Sequence, residues 1–207
     1  VQEPVPSTTP HIEIGQPKVF TLRAVLILSA YGVLLAVPFL ASLLVVSVLK
    51  LGVLTVLIPV MAVASAAFFL PFGLGNPYVS RLVQRLNPAA GKTDAGFVVQ
   101  LSVSPRIRSG LSAVLEDADD IGYLSFNSTG FLFQGDSVKL SVPYECIEEV
   151  RSLNIGMRGL FVYGRRIGLV VTGLPNVSAL EFAERSSWLL PTSRRITKQL
   201  HQHLSKR

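Results

Sequence analysis

From residue 97 onward, apolar and polar positions alternate with a period of two, and turn residues interrupt the alternation at short, even intervals. This predicts strands over 97–103, 112–115, 122–127, 130–134, 137–142, 147–154, 160–163 and 166–172, separated by RSG, EDADD, NSTG, QGD, GMRG and YGRR. Strands so short and evenly spaced suggest a small closed or nearly closed antiparallel barrel. The stretch PNVSALEFAERSSWLLP reads as a helix, with Ser178 as its cap, and a second, basic helix follows Pro191.

Ahead of the alternating region the pattern is different. Two apolar runs, 24–49 and 51–80, hold no charged residue. Each exceeds the roughly 20 residues that span a bilayer core of about 30 Å. They predict a two-helix transmembrane hairpin turning near Lys50. A buried core hairpin in a water-soluble protein is the alternative, although core helices seldom lack a polar face for so long. Gly32 and Ala36 in the first run, and Ala62 and Ala66 in the second, are small residues four apart that would let two helices approach closely. Lys18, Arg23, Arg81, Arg85 and Lys92 flank the hairpin on one side and Lys50 alone on the other, so the positive-inside rule places both termini and the strand-rich domain in the cytoplasm. Segment 76–88 then reads as a basic amphipathic helix lying in the headgroup layer, capped by Asn76, with Arg81 and Arg85 on its polar side. The first 20 residues carry Pro4, Pro6, Pro10 and Pro17, and the expectation is an extended arm with no fold of its own.

One stretch carries a family likeness. GYLSFNSTGFLFQGDSVKLSVPYECIEEV supplies Gly122, Leu124, Phe131, Phe133, Pro143, Ile147 and Val150 in the spacing typical of such domains. It resembles the pleckstrin-homology and GRAM superfamily, over about 97–190. The likeness to bacterial membrane proteins of this type implies an α+β membrane protein: a two-helix transmembrane hairpin, then a PH/GRAM-like barrel with a C-terminal helix. The expected divisions are an arm over 1–20, the hairpin over 21–75, the interfacial helix over 76–88, the barrel and its helix over 97–190, and a basic helix over 191–207. The resemblance also implies a platform that binds proteins or lipids and not a catalyst. The segment SPRIRSGLSAVLEDADD departs from the family pattern.

Composition sharpens this only in places. Charged residues make up 15% of the chain and the net charge is +6. Between 111 and 150 there are eight acidic residues and one basic; between 151 and 207 there are ten basic and two acidic. Candidate contacts to anionic lipid headgroups or to a partner are therefore Arg81, Arg85, Arg106, Arg108, Arg165, Arg166, Arg194 and Arg195. The basic residues lack an aromatic platform, which argues against nucleic acid. GKT at 91–93 lacks the glycine five places earlier that a phosphate loop needs, since Leu86 stands there. His201 and His203, two apart on a helix, cannot clamp one metal ion. EDADD at 116–120 lacks the glycine and distal glutamate of a calcium loop and reads as a solvated acidic turn. Cys146, the only cysteine, reads as a half-buried hydrophobe. No catalytic residue, cofactor or metal is expected. The functional expectation is a non-catalytic accessory or scaffold subunit of a larger membrane protein assembly, its partners being other membrane subunits. The alternative is a membrane-anchored module that senses anionic lipids or peptides.

Overall fold

The computed structural model describes residues 9–50, 52, 55, 57, 75–88, 96–154, 157–158, 161–162 and 165–205. In chain order the elements are β1 (His11–Ile14), α1 (Leu22–Leu49), α2 (Asn76–Leu86), β2 (Gly96–Ser104), α3 (Leu111–Leu115), β3 (Asp120–Phe126), β4 (Gly130–Gly135) and β5 (Val138–Pro143). A 3-10 turn (Tyr144–Cys146) leads to β6 (Ile147–Asn154), β7 (Met157–Arg158), β8 (Phe161–Val162), β9 (Arg165–Val171), β10 (Ala179–Glu184) and α4 (Leu190–Ser205).

Among the described residues, eight strands form one antiparallel sheet in the order β1-β5-β4-β3-β2-β10-β9-β6, curled into a half-barrel. The alternation in the sequence accounts for most of it. On β2, Val99, Leu101 and Val103 face the inner core, and on β9 Ile167, Leu169 and Val171 do the same. Phe182 of β10 meets Phe131 edge-on at 5.7 Å and lies 5.9 Å from Phe133. Leu200 and Leu204 of α4 close this core, and the His203 ring stacks on Phe126 at 5.2 Å. Gly122 and Gly130 allow β3, β4 and β5 to approach, because a Cβ at either would run into the backbone of the next strand. Phe133 is fully buried whereas its neighbour Leu132 is half-buried on the other face. Phe133→Ala should therefore cost about 3–5 kcal/mol in urea unfolding, and Leu132→Ala less than about 1.5 kcal/mol; the reverse order would mean that β4 is out of register.

Three expected elements differ from those observed. Residues 112–115 belong to the short helix α3, not to a strand. Residues 179–184, expected as helix, form β10 in the middle of the sheet. The expected cap Ser178 instead donates its N–H and its hydroxyl to the Ser104 carbonyl at the end of β2, at 2.8 and 3.1 Å. Asn176 adopts φ 59°, which suits a turn. Once the chain lies along β2, Leu180 and Phe182 fill the core and the ladders to β2 and β9 outweigh the helical preference of Ala, Leu and Glu. The arm is also not without fold: His11–Ile14 pairs with β5. Pro191 lies in the first turn of α4, where a missing N–H costs nothing.

The apolar N-terminal half requires a larger correction. Among the described residues no helix is long and apolar enough to cross a membrane; in α1 the unbroken run of described side chains is Leu22–Tyr31. This overturns the transmembrane hairpin, and with it the membrane localisation and the orientation drawn from flanking charge. The physical reason lies at the root of α1. Ala24, Val25 and Leu28 are buried, and they pack with Val79, Leu82 and Val83 of α2 and with Ile121 and Tyr123 on the outer face of the sheet. The apolar face of α2 is spent on this second core and not on a headgroup layer. Ala62 and Ala66 lie outside the described residues, as do the side chains of Gly32 and Ala36.

Candidate functional site

The outer face of the central strands is not wet. Polar residues at outward positions of β2, β9 and β10 are covered by the root of α1, by α2 and by the 105–119 segment. Arg166, the second residue of β9, is fully buried. Its guanidinium lies 2.9 Å from an Asp117 carboxylate oxygen, donates to Glu181 on β10 at 3.1 Å and donates to the Ser102 hydroxyl on β2 at 3.2 Å. Arg106 joins Asp117 at 3.3 Å from the other side and donates to the Ala113 and Glu116 carbonyls. Arg185 pairs with the buried Glu116 at 3.7 Å.

Asp119 has its own task. Its two oxygens accept the N–H groups of Val103, Ile107 and Arg108 at 2.8, 3.1 and 2.9 Å, which fixes the 105–108 turn to the end of β2. The EDADD stretch is thus a buried anchor and not a solvated turn: Glu116, Asp119 and Asp120 are each almost wholly inaccessible. Bare carboxylates this deep are tolerated because cations and backbone N–H groups meet them.

A second set of carboxylates seats α1. One Asp136 oxygen accepts the consecutive N–H groups of Lys18, Val19 and Phe20 at 2.9, 2.8 and 2.6 Å. Arg108 donates to the Phe20 carbonyl at 2.6 Å and lies 4.2 Å over the Phe20 ring. Burial lowers the Arg108 pKa, against the pull of Asp120, Asp119 and Glu116. Asp120 accepts from Ser137 and Val138 at 2.8 and 2.6 Å with one oxygen and from Ile121 at 2.8 Å with the other. Burial nevertheless pushes its carboxyl up to about 6, since desolvation outweighs these N–H groups and the Asp136 charge adds to it.

The eight candidate arginines therefore divide. Arg106, Arg108 and Arg166 are drawn into the acidic network. Arg81 and Arg85 on α2, Arg165 at the start of β9, and Arg194 and Arg195 on α4 are exposed. Sequence reasoning missed Asp136, Arg185, Glu116 and Glu181 as partners. Outward polar residues on a strand read as a wet face, and only the second layer reveals otherwise. Among the described residues no group of three or more His, Cys, Asp or Glu side chains is placed to hold a metal ion. Cys146 is half-buried and makes no disulfide.

The remaining surface feature is apolar. Beyond its root α1 exposes Val37, Leu40, Leu43, Leu44, Val48 and Leu49. Leu111 and Val114 of α3, and Trp188 and Leu189 ahead of α4, are exposed as well. No family model, curated protein or solved structure matches the chain.

Proposed function

We propose that the protein is a non-catalytic scaffold subunit of a larger protein assembly, with the half-barrel as a rigid base and α1 as the element that grips its partners. The observation that carries this reading is the exposed apolar length of α1. A helix apolar on all sides is one that other structure surrounds. Val37, Leu40, Leu44 and Val48 are exposed and recur three and four residues apart, a spacing that fits the holes on a partner helix. The occupant is accordingly a helix of another subunit. The ionisable cluster supports the same reading, since its carboxylates and guanidiniums are engaged in fastening the 105–119 segment to the sheet.

The strand order and the closing helix are compatible with a pleckstrin-homology type of domain, and such domains serve as platforms. The alternative, recognition of anionic headgroups or peptides by basic loops, is weakened because Arg106, Arg108 and Arg166 already have intramolecular partners.

Isolating the full chain from its source under mild conditions, followed by native mass measurement, tests the assembly. A chain co-purifying in fixed stoichiometry is expected. Leu40→Gln with Leu44→Gln should release it while the melting curve of the domain stays unchanged, because both side chains are exposed. A partner retained by that double variant, or a wild-type chain isolated alone, would overturn the reading.

A further inference from the structure

The large sheet ends in two edges. At one of them β1 is only 4 residues long and starts directly after Pro10. At the other, β6 runs for 8 residues and pairs with β9 alone. Its outer row of backbone donors and acceptors faces no described strand, which makes it a template for another one.

The side chains of β6 say which strand fits. Glu149, Val150 and Arg151 lie opposite Val170, Leu169 and Gly168 of β9. Residues directly opposed across a ladder share a face. Val150 therefore turns with Leu169 toward the inner core, and Glu149 and Arg151 stand on the outer face. These two side chains are 48% and 60% exposed and pair with each other along the strand.

A two-fold axis through Val150, perpendicular to the sheet, sets each Glu149 opposite Arg151 of the partner subunit. Four charges then alternate in sign around the axis, and opposite charges placed directly across a ladder stabilise it. The adjacent registers do the reverse. An axis at Glu149 opposes two carboxylates, and one at Arg151 opposes two guanidiniums. An axis at Ser152 sets Arg151 against Leu153 and matches no charge. Charges on an edge strand ordinarily keep other strands away; here a single register converts them into pairs. The ladder to β9 shifts between Ile147 and Glu149, so the regular row begins at Glu149 and the added pairing is short.

We infer that β6 is a dimerisation edge, on which a second copy of this chain adds its own β6 antiparallel across Val150 and continues the sheet from one half-barrel into the other. The inference is independent of what covers α1. So short a pairing gives a reversible dimer, with a dissociation constant in the micromolar range.

Sedimentation of the full chain over a range of concentrations tests this. The wild type should pass from monomer to dimer. Glu149→Arg opposes like charges in the favoured register and should weaken the dimer about tenfold or more. Combining it with Arg151→Glu restores opposite signs and should recover most of the wild-type affinity. Both side chains are exposed, so the melting curve of the dilute monomer should stay unchanged in each variant. Leu40→Gln with Leu44→Gln should leave the dimer intact, which separates this edge from association through α1. A wild-type chain that stays monomeric at millimolar concentration would overturn the inference and leave the edge to a strand of another protein. A dimer indifferent to Glu149→Arg, or one not rescued by the double exchange, would overturn it as well.

Discussion

Replacing Arg166 by alanine should lower the unfolding free energy by about 3–5 kcal/mol, measured by denaturant titration at neutral pH. The side chain is 0% exposed and meets Asp117, Glu181 and the Ser102 hydroxyl together. Removing it takes from Asp117 and Glu181, both partly covered, the buried cation they share, and leaves Arg106 beside Asp117. The desolvation of those carboxylates persists after the cation is gone, so the loss exceeds the net worth of the pair itself. Arg165 is the neighbouring residue on β9 and is exposed. Arg165→Ala should stay within about 0.5 kcal/mol of wild type. Equal effects from the two substitutions would show that Arg166 is solvated and that the covered network does not exist.

Phe182→Ala should cost about 3–5 kcal/mol by the same measurement, because truncating a fully buried phenylalanine removes transfer energy and leaves a cavity. The ring is 0% exposed and contacts both Phe131 and Phe133, so the cavity opens between two strands that cannot collapse onto it. Phe182→Leu, which keeps much of the volume, should recover over half of that loss. A loss below about 1.5 kcal/mol from the alanine change would mean that 179–184 does not run through the sheet.

Much of the barrel was legible because period-two alternation is a local property. Val99, Leu101, Phe131, Phe133, Ile167 and Leu169 announce their inward face within a few residues, and turn residues mark the ends. β10 was not legible. ALEFAE has the composition of a helix, and its strand conformation comes from β2 and β9 on either side. The acidic stretch misled for a related reason. Glu116, Asp117, Asp119 and Asp120 look solvated when read alone, and their cations lie far along the chain at Arg166 and Arg185 or in a loop at Arg106 and Arg108. The long apolar run at 24–49 suggests, taken alone, a lipid-facing helix. Apolarity gives the need for cover but does not say what provides it, and at Ala24, Val25 and Leu28 that cover is α2 and the sheet.

The pairing of β10 with β2 has a consequence for biosynthesis. These two neighbouring interior strands come from opposite ends of the domain's sequence, with Phe182 set against Leu101 and Leu180 against Val103. A ribosome delivers β2 through β5 early, and each of those strands finds its neighbour as it emerges. The open edges of β2 and β9 wait for the last strand. Until residue 184 has left the exit tunnel, the nascent chain carries two unpaired rows of backbone donors and acceptors beside exposed leucines, the combination that invites strand-to-strand aggregation. Completion of this sheet thus waits for residues 179–184, and a message truncated shortly before that strand would yield a chain whose sheet stays open between β2 and β9.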